Sequence, residues 1–156
     1  MMRLMRYLLV VLLLSLLLPS MQVMASDLIM VRTQQDFPEA MLTLQTSIRE
    51  LGYAITRVQR IDIGLTGMGY ETDKYRVVFV GKSKEIQYLV DKYPVLAAYM
   101  PPQVSIFAEE GDTVLITANP MIYADMIDDE ADKILFRRWE SDVYSVFDDI
   151  RKAQED

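Results

Sequence analysis

The fold is decided by the segment Asp36–Gly52, whose sequence is DFPEAMLTLQTSIRELG. Asp36 and Glu39 have the spacing of a capping box, and a proline in the first helical turn costs no hydrogen bond. Gly52 stands where a helix C-terminal cap belongs. Apolar side chains recur every three or four residues, at Phe37, Ala40, Met41, Leu44, Ile48 and Leu51. The pattern predicts an amphipathic helix with one face against a core.

Strands are predicted on both sides of this helix. A β-rich run at 27–33 precedes it, and a second strand is predicted at 53–61. The glycine-rich segment Gly64–Gly69 is interpreted as a flexible loop. Tyr75–Val80 is almost continuously apolar, which is typical of a strand with neighbours on both sides.

The second half of the chain predicts a further helix, a hairpin and a last helix. Gly81-Lys82-Ser83 leads into a helix with Ser83 as its expected cap. Val104–Glu109 and Thr113–Thr117 flank a Glu-Glu-Gly-Asp turn, which is a hairpin signal. Acidic residues and a long apolar stripe predict a helix over 128–153. The order β-α-β-β-α-β-β plus helix indicates an α+β two-layer sandwich, with helices on one face of a mostly antiparallel sheet.

The N-terminus has the pattern of a secretory signal over residues 1–25. Arg3 and Arg6 precede the apolar run Leu8–Leu18, and Val23-Met24-Ala25 fits a cleavage site. The run is shorter than the about 20 residues of a membrane span. We expect a periplasmic or secreted single domain over 26–156, with a core at 27–125. A leader that is not cleaved would instead tether the protein to a membrane.

Cysteine and histidine are both absent. Their absence excludes disulfides, Cys/His zinc sites, Cys–His and Ser–His catalysis, and a histidine pH switch. Cleavage after Ala25 would lower Lys plus Arg from 16 to 14 against 23 acids, which changes the formal charge from −7 to −9. Such an acidic chain is not expected to bind nucleic acid, because phosphate contacts need clustered Lys and Arg.

Three weaker patterns are interpreted as structural, so no cofactor and no metal is predicted. Gly81-Lys82-Ser83 resembles the end of a phosphate-binding loop, but Arg76 stands where that loop needs glycine. The acidic run 125–132 lacks the alternating ligands and the glycine of a calcium loop. The methionines after residue 25 are scattered, which favours core filling over copper binding.

The chain resembles the domain-of-unknown-function 302 family. The resemblance lies in Phe37–Gly52, Ile61-Asp62-Ile63-Gly64-Leu65, Tyr75–Gly81 and Val104–Asn119, and it covers about residues 27–125. It implies a two-layer α/β domain that often forms a homodimer and is found alone or behind a signal peptide. The family has no agreed activity, so the resemblance implies no catalytic residues. The last helix would lie beyond that core.

Two groups of side chains are candidates for contacts. The first is predicted to line a ligand groove near loops and strand ends, and it consists of Tyr70, Asp73, Tyr75, Arg76, Glu109 and Asn119. The second is an interface candidate on the last helix, Arg137, Arg138 and Trp139, since arginines and aromatics are enriched at interfaces. Trp139 is expected to dock that helix within the chain, with a partner contact as the alternative. Arg138 and Asp142 have the spacing of a surface ion pair.

The leading functional hypothesis is an exported, non-enzymatic binding or assembly module that forms a homodimer. Its ligand would be an unidentified small molecule or an envelope protein. The alternative is a hydrolase or isomerase of the cell envelope that works with the carboxylates of Asp62, Asp73 or Glu109. That alternative requires at least two of these carboxylates in one pocket, one of them with a perturbed pKa.

Overall fold

The computed structural model describes residues 27–153, so the leader predicted at 1–25 lies outside the described residues. In chain order the elements are β1 (Leu28–Thr33), α1 (Phe37–Glu50), β2 (Ala54–Arg60), α2 (Ile61–Gly67), β3 (Tyr75–Gly81), α3 (Ser83–Lys92), a 3₁₀ turn (Pro94–Ala98), β4 (Gln103–Glu109), β5 (Asp112–Ala118), α4 (Met121–Ala124) and α5 (Glu130–Lys152). Within 27–153 no helix combines the length and the apolar character that a membrane crossing requires.

The five strands form one sheet in the order β1-β5-β4-β3-β2, and every neighbouring pair is antiparallel. β1 and β2 lie at opposite edges, so α1 crosses the sheet between them and contacts β2, β4 and β5. The predicted cap of α1 is present, because the Glu39 N–H donates to the Asp36 carboxylate at 2.9 Å. The predicted α+β two-layer fold is confirmed.

One face of the sheet is covered by α1 and α5, and the other is not. Along β1 the two faces alternate: Ile29 and Val31 are 4% and 3% exposed, whereas Leu28 and Met30 are 53% and 59% exposed. The covered face forms the main core with the inner sides of both helices, and its fully buried members are Ala40, Leu44, Val78, Ile106, Leu115, Phe147 and Ile150. We call the uncovered side the open face; it carries Leu28, Met30, Tyr75, Phe79, Phe107 and Ile116.

The predicted hairpin is β4–β5, with the tight turn that its sequence indicates. Glu110 and Gly111 both have positive φ, at 54° and 95°. Two-residue hairpin turns of the I′ type require positive φ at both central positions, because only those turns match the twist of the strands. Residue 111 is glycine, which adopts that conformation without steric strain.

Two local expectations were wrong. Most of the segment interpreted as a glycine-rich loop belongs to α2, and Gly69, with φ 88°, follows that helix. Tertiary contacts outweigh the low helix propensity of glycine here, since Arg76 on β3 holds Asp62 in the first turn of α2. Ser83 does not cap α3 either: it is the first helical residue, and Lys82 occupies the cap position without a side-chain hydrogen bond.

A second apolar cluster joins α3, the 3₁₀ turn, α4 and α5; its core includes Leu89, Leu96, Tyr123, Phe136 and Trp139. A polar clamp fastens its edge. The Asp132 carboxylate accepts hydrogen bonds from Tyr93 Oη at 2.7 Å, Tyr88 Oη at 3.0 Å and Lys92 Nζ at 2.8 Å. The clamp therefore ties the end of α3 to the start of α5.

The clamp should make stability depend on pH. The pKa of Asp132 is lowered, first by the hydrogen bond from Lys92. A carboxyl with a lowered folded pKa stabilises the fold above its unfolded pKa, and this contribution is lost as pH falls through the folded value. Asp132→Asn should therefore lower the Tm at about pH 7 and have a smaller effect at about pH 3, because part of the contribution is already lost below the unfolded pKa of about 3.9.

Thermal unfolding followed by circular dichroism at both pH values checks this expectation. Asp128→Asn is the matched control, because Asp128 is exposed on the same segment and takes no part in the clamp. An equal loss of Tm at both pH values for Asp132→Asn would contradict the assignment.

Candidate functional site

The residues predicted to form a ligand groove lie at two ends of the sheet. Tyr75 pairs with Phe107, so Tyr75 and Glu109 share one end. Glu109 pairs with Asp112, the first residue of β5, whereas Asn119 follows the last residue of that strand. The 7 residues of β5, at about 3.3 Å each, place the two ends roughly 20 Å apart. Asn119 therefore shares no groove with the others.

The remaining residues of that set do not converge on one pocket. Tyr75 and Arg76 are consecutive strand residues, so their side chains point to opposite faces of the sheet. Tyr75 lies on the open face, whereas Arg76 donates to the Asp62 carboxylate on the covered side. Tyr70 is 63% exposed, and Asp73 is exposed in the segment between α2 and β3.

Asn119 has a structural role. It is only 1% exposed. Its side-chain amide donates to Glu140 at 2.8 Å, and its side-chain oxygen accepts from the Met121 N–H at 2.9 Å. Its own N–H donates to the Asp27 carbonyl at 2.8 Å. Asn119 thus joins the end of β5 to β1, α4 and α5.

Two of the three carboxylates of the enzymatic alternative share a pocket, as that alternative requires, and the third lies elsewhere. Asp62 and Asp73 line a shallow depression beside α2, whereas Glu109 lies on the open face and accepts from Arg32. The hydrogen bond from Arg76 is the first cause that lowers the pKa of Asp62, and a general acid near neutral pH needs a raised pKa. Within residues 27–153, no three acidic side chains are grouped to hold a metal ion.

Trp139 belongs to the core of the chain and not to an exposed interface. It is 3% exposed, it packs edge-on against Phe136 with ring centroids 5.4 Å apart, and its Nε1 donates to Glu85 at 2.9 Å. The structure places Trp139 in the second apolar cluster, where α5 meets α3. Arg138 donates to the same Glu85 carboxylate and not to its i+4 neighbour, and Arg137 is exposed.

A cavity lies beneath α5, between the two apolar clusters. Its volume is about 60 Å³. The walls are aliphatic and aromatic, and they include Ile48, Val80, Val104, Val143, Val146 and Phe147. Trp139, the single tryptophan of the chain, also lines it. Apolar pockets with few polar groups are the usual form of small-molecule sites.

Polar groups meet at the edge of this cavity. The Tyr53 hydroxyl donates to Asp142 at 2.6 Å, and both residues line the cavity. Burial, followed by the bond to Asp142, raises the pKa of Tyr53 far above its ordinary value, so the phenol remains a neutral donor. Lys82 Nζ lies 4.4 Å from the centroid of the Tyr53 ring. Among the described residues Lys82 has no carboxylate within ion-pair distance.

The open face is the other candidate contact surface. Its apolar side chains run from Leu28 and Met30 on the edge strand to Ile116 on β5 and Phe107 on β4. Beside it, a groove of about 440 Å³ lies between the sheet and the 3₁₀ turn; Tyr99 in its wall is 45% exposed.

The sequence predicts neither the cavity nor the open face, and the reasons differ. The Tyr53–Asp142 bond joins residues 89 positions apart, and no local pattern marks such a pair. The open face is marked in the sequence of β1. Leu28 and Met30 are apolar, and so are Ile29 and Val31, the buried residues that alternate with them. A strand that is apolar on both faces indicates either two covered faces or a contact surface.

Comparison with known proteins gives a family and a fold. The model of the family described as "Domain of unknown function DUF302" matches residues 29–150, which extends past residue 125 and through most of α5. No curated protein matches the chain. A solved structure, the crystal structure of the uncharacterized conserved protein DUF302 from Bacillus stearothermophilus, matches with a TM-score of 0.72 and 16% identity over 81% of this chain and 99% of that chain.

At that identity the likeness to the solved structure shows the fold alone. The family match covers most of the sequence, including every strand except the first residue of β1. The chain therefore belongs to the DUF302 family.

Proposed function

We propose that this protein is an exported, non-enzymatic binding or assembly module that acts as a homodimer through its open face. The observation that carries the proposal is the exposure of Leu28 and Met30, at 53% and 59%, on a sheet whose opposite face packs against α1 and α5. Export follows from the leader pattern at 1–25. The absence of histidine and cysteine and the ion pair with Arg76 that lowers the pKa of Asp62 support a role in binding over one in catalysis.

The apolar character of the open face favours association. Monomeric soluble proteins rarely expose contiguous apolar patches larger than a few hundred Å². Each Å² of apolar surface removed from water contributes about 25 cal/mol. Covering the side chains of Met30, Ile116 and Phe107 would therefore stabilise a complex.

The size of the open face suits a second copy of the chain. The sheet has 5 strands of up to 7 residues; spacings of about 4.8 Å and about 3.3 Å give a projected area of roughly 550 Å². Side chains that stand out of the plane make the accessible area larger, which brings it near the about 800 Å² per partner of a standard interface. A twofold contact uses the same patch on both copies.

The charges of this face also permit self-association of an acidic protein. Arg32 donates to both Glu109 and Asp112 at one corner of the sheet. Because Arg32 offsets one of these two carboxylates, the corner carries one net negative charge per copy. It therefore adds less repulsion between two copies than two unpaired carboxylates would.

Replacing Met30 by lysine tests the proposal. A charge within an apolar interface loses its hydration on association, which is costly without a partner. The native protein should therefore sediment as a dimer at micromolar concentration, and Met30→Lys should sediment as a monomer with an unchanged circular dichroism spectrum.

Leu42→Lys is the matched control. Leu42 is 67% exposed on α1, on the helical side of the molecule, so this variant should remain dimeric. A monomeric native protein, or a dimer that survives Met30→Lys but not Leu42→Lys, would overturn the assignment of the open face.

A further inference from the structure

We infer that the cavity beneath α5 binds a short aliphatic carboxylate, whose hydrocarbon chain enters the cavity while its carboxylate meets Lys82. The inference rests on the proposed binding function, but it concerns a different surface from the one assigned to dimerisation. It names the ligand class of a site that the sequence patterns did not indicate.

The walls of the cavity select a hydrocarbon chain. The lining is dominated by Val80, Val104, Val143, Val146 and Phe147. No buried side-chain nitrogen or oxygen in residues 27–153 lacks a hydrogen-bond partner. Water in a cavity needs two to four polar partners, and apolar cavities remain dry. A hydrocarbon therefore fits the space better than a polar molecule does.

The volume of the cavity limits the length of the chain. About 60 Å³ is smaller than the engineered cavities of about 150 Å³ that hold benzene. There is room for a few methylene groups and not for a ring system or a long acyl chain. The terminal part of a short linear chain matches this size.

The groups at the edge of the cavity select the charge of the ligand. The carboxylate of Asp142 already accepts from Tyr53, and that of Glu85 accepts from Trp139 and Arg138. These acids have partners, so a cationic ligand would compete with existing bonds.

Lys82 follows Gly81, which lines the cavity, and it has no carboxylate partner among the described residues. Its Nζ lies 4.4 Å from the centroid of the Tyr53 ring, and Tyr53 lines the cavity. A cation held over an aromatic face near the surface gains little from the ring, so it remains available to an anion. An anionic head group next to an apolar chain satisfies both parts of the site.

The experiment follows the fluorescence of Trp139 during titration of the full-length protein with hexanoate. Trp139 is the only tryptophan and lines the cavity, so binding there should produce a saturable change in emission. Acetate has the charge without the chain and should produce none. Hexanol has the chain without the charge and should bind more weakly than hexanoate.

Two kinds of variant separate the chain from the head group. Lys82→Met keeps the aliphatic stem and should raise the Kd for hexanoate at least about tenfold, because the charge-assisted contact is lost, while the Kd for hexanol stays the same. Val143→Leu and Val146→Leu fill the cavity and should weaken both ligands. Lys84→Met is the control. Lys84 is exposed and is the second residue of α3, and this variant should bind hexanoate as the native protein does.

The outcomes are separable from those of the dimer test. Met30→Lys should bind hexanoate as the native protein does, so loss of dimerisation alone leaves this inference intact. Absence of a saturable signal with hexanoate overturns the site. Equal binding of hexanoate to the native protein and to Lys82→Met overturns the role of Lys82, and unchanged binding to both leucine variants shows that the chain does not enter the cavity.

Discussion

Phe147→Ala is expected to lower the free energy of unfolding by about 3–5 kcal/mol, the range for truncation of a buried aromatic side chain. Phe147 is 0% exposed and lies in the main core where α5 packs on the sheet. It also lines the existing cavity. Truncation would therefore enlarge a void that is already present, and little collapse can offset the lost contacts.

Urea denaturation followed by circular dichroism measures this loss. Tyr144→Ala is the control, since Tyr144 lies one turn earlier on the same helix and is 43% exposed. The free energy of unfolding of Tyr144→Ala should stay within about 1 kcal/mol of the native value, as for most surface substitutions. Equal losses for the two variants would mean that α5 contributes to stability without depending on its inner face.

The parts of the fold that the sequence predicts are those governed by local physics. Asp36 and Glu39 cap α1 through contacts three residues apart, and the stripe of α1 follows from its own periodicity. The turn at Glu110 and Gly111 is likewise a property of adjacent residues. Such features need no knowledge of the rest of the chain.

The parts that the sequence does not predict depend on distant partners. The glycine-rich segment becomes helix α2 while Arg76, 14 residues away, holds Asp62. Residue type and loop position predict the groove residues as one group, but only the strand pairing shows that Asn119 and Glu109 lie at opposite ends of β5. Tyr53 lies in the candidate site because the packing of α5 places Asp142 within hydrogen-bond distance of its hydroxyl.

A chain that ends at Asp128 is expected not to fold. The core expected from the sequence, residues 27–125, would lie wholly within such a chain. In the structure, however, α5 supplies buried side chains to both apolar clusters, among them Phe136, Trp139, Phe147 and Ile150. Burial of each contributes about 1.5–3 kcal/mol, and four together approach the about 5–15 kcal/mol by which a whole domain is stable.

The truncated chain should therefore lack a cooperative thermal transition and give an amide NMR spectrum with little dispersion. A chain that ends at Ala153 is the control and should melt like the full protein, because it retains all of α5. If the chain ending at Asp128 melts cooperatively, the sheet and α1 form an independent core and α5 is an addition to it. If it does not, α5 is part of the domain itself, because the covered face of the sheet needs both helices to be buried.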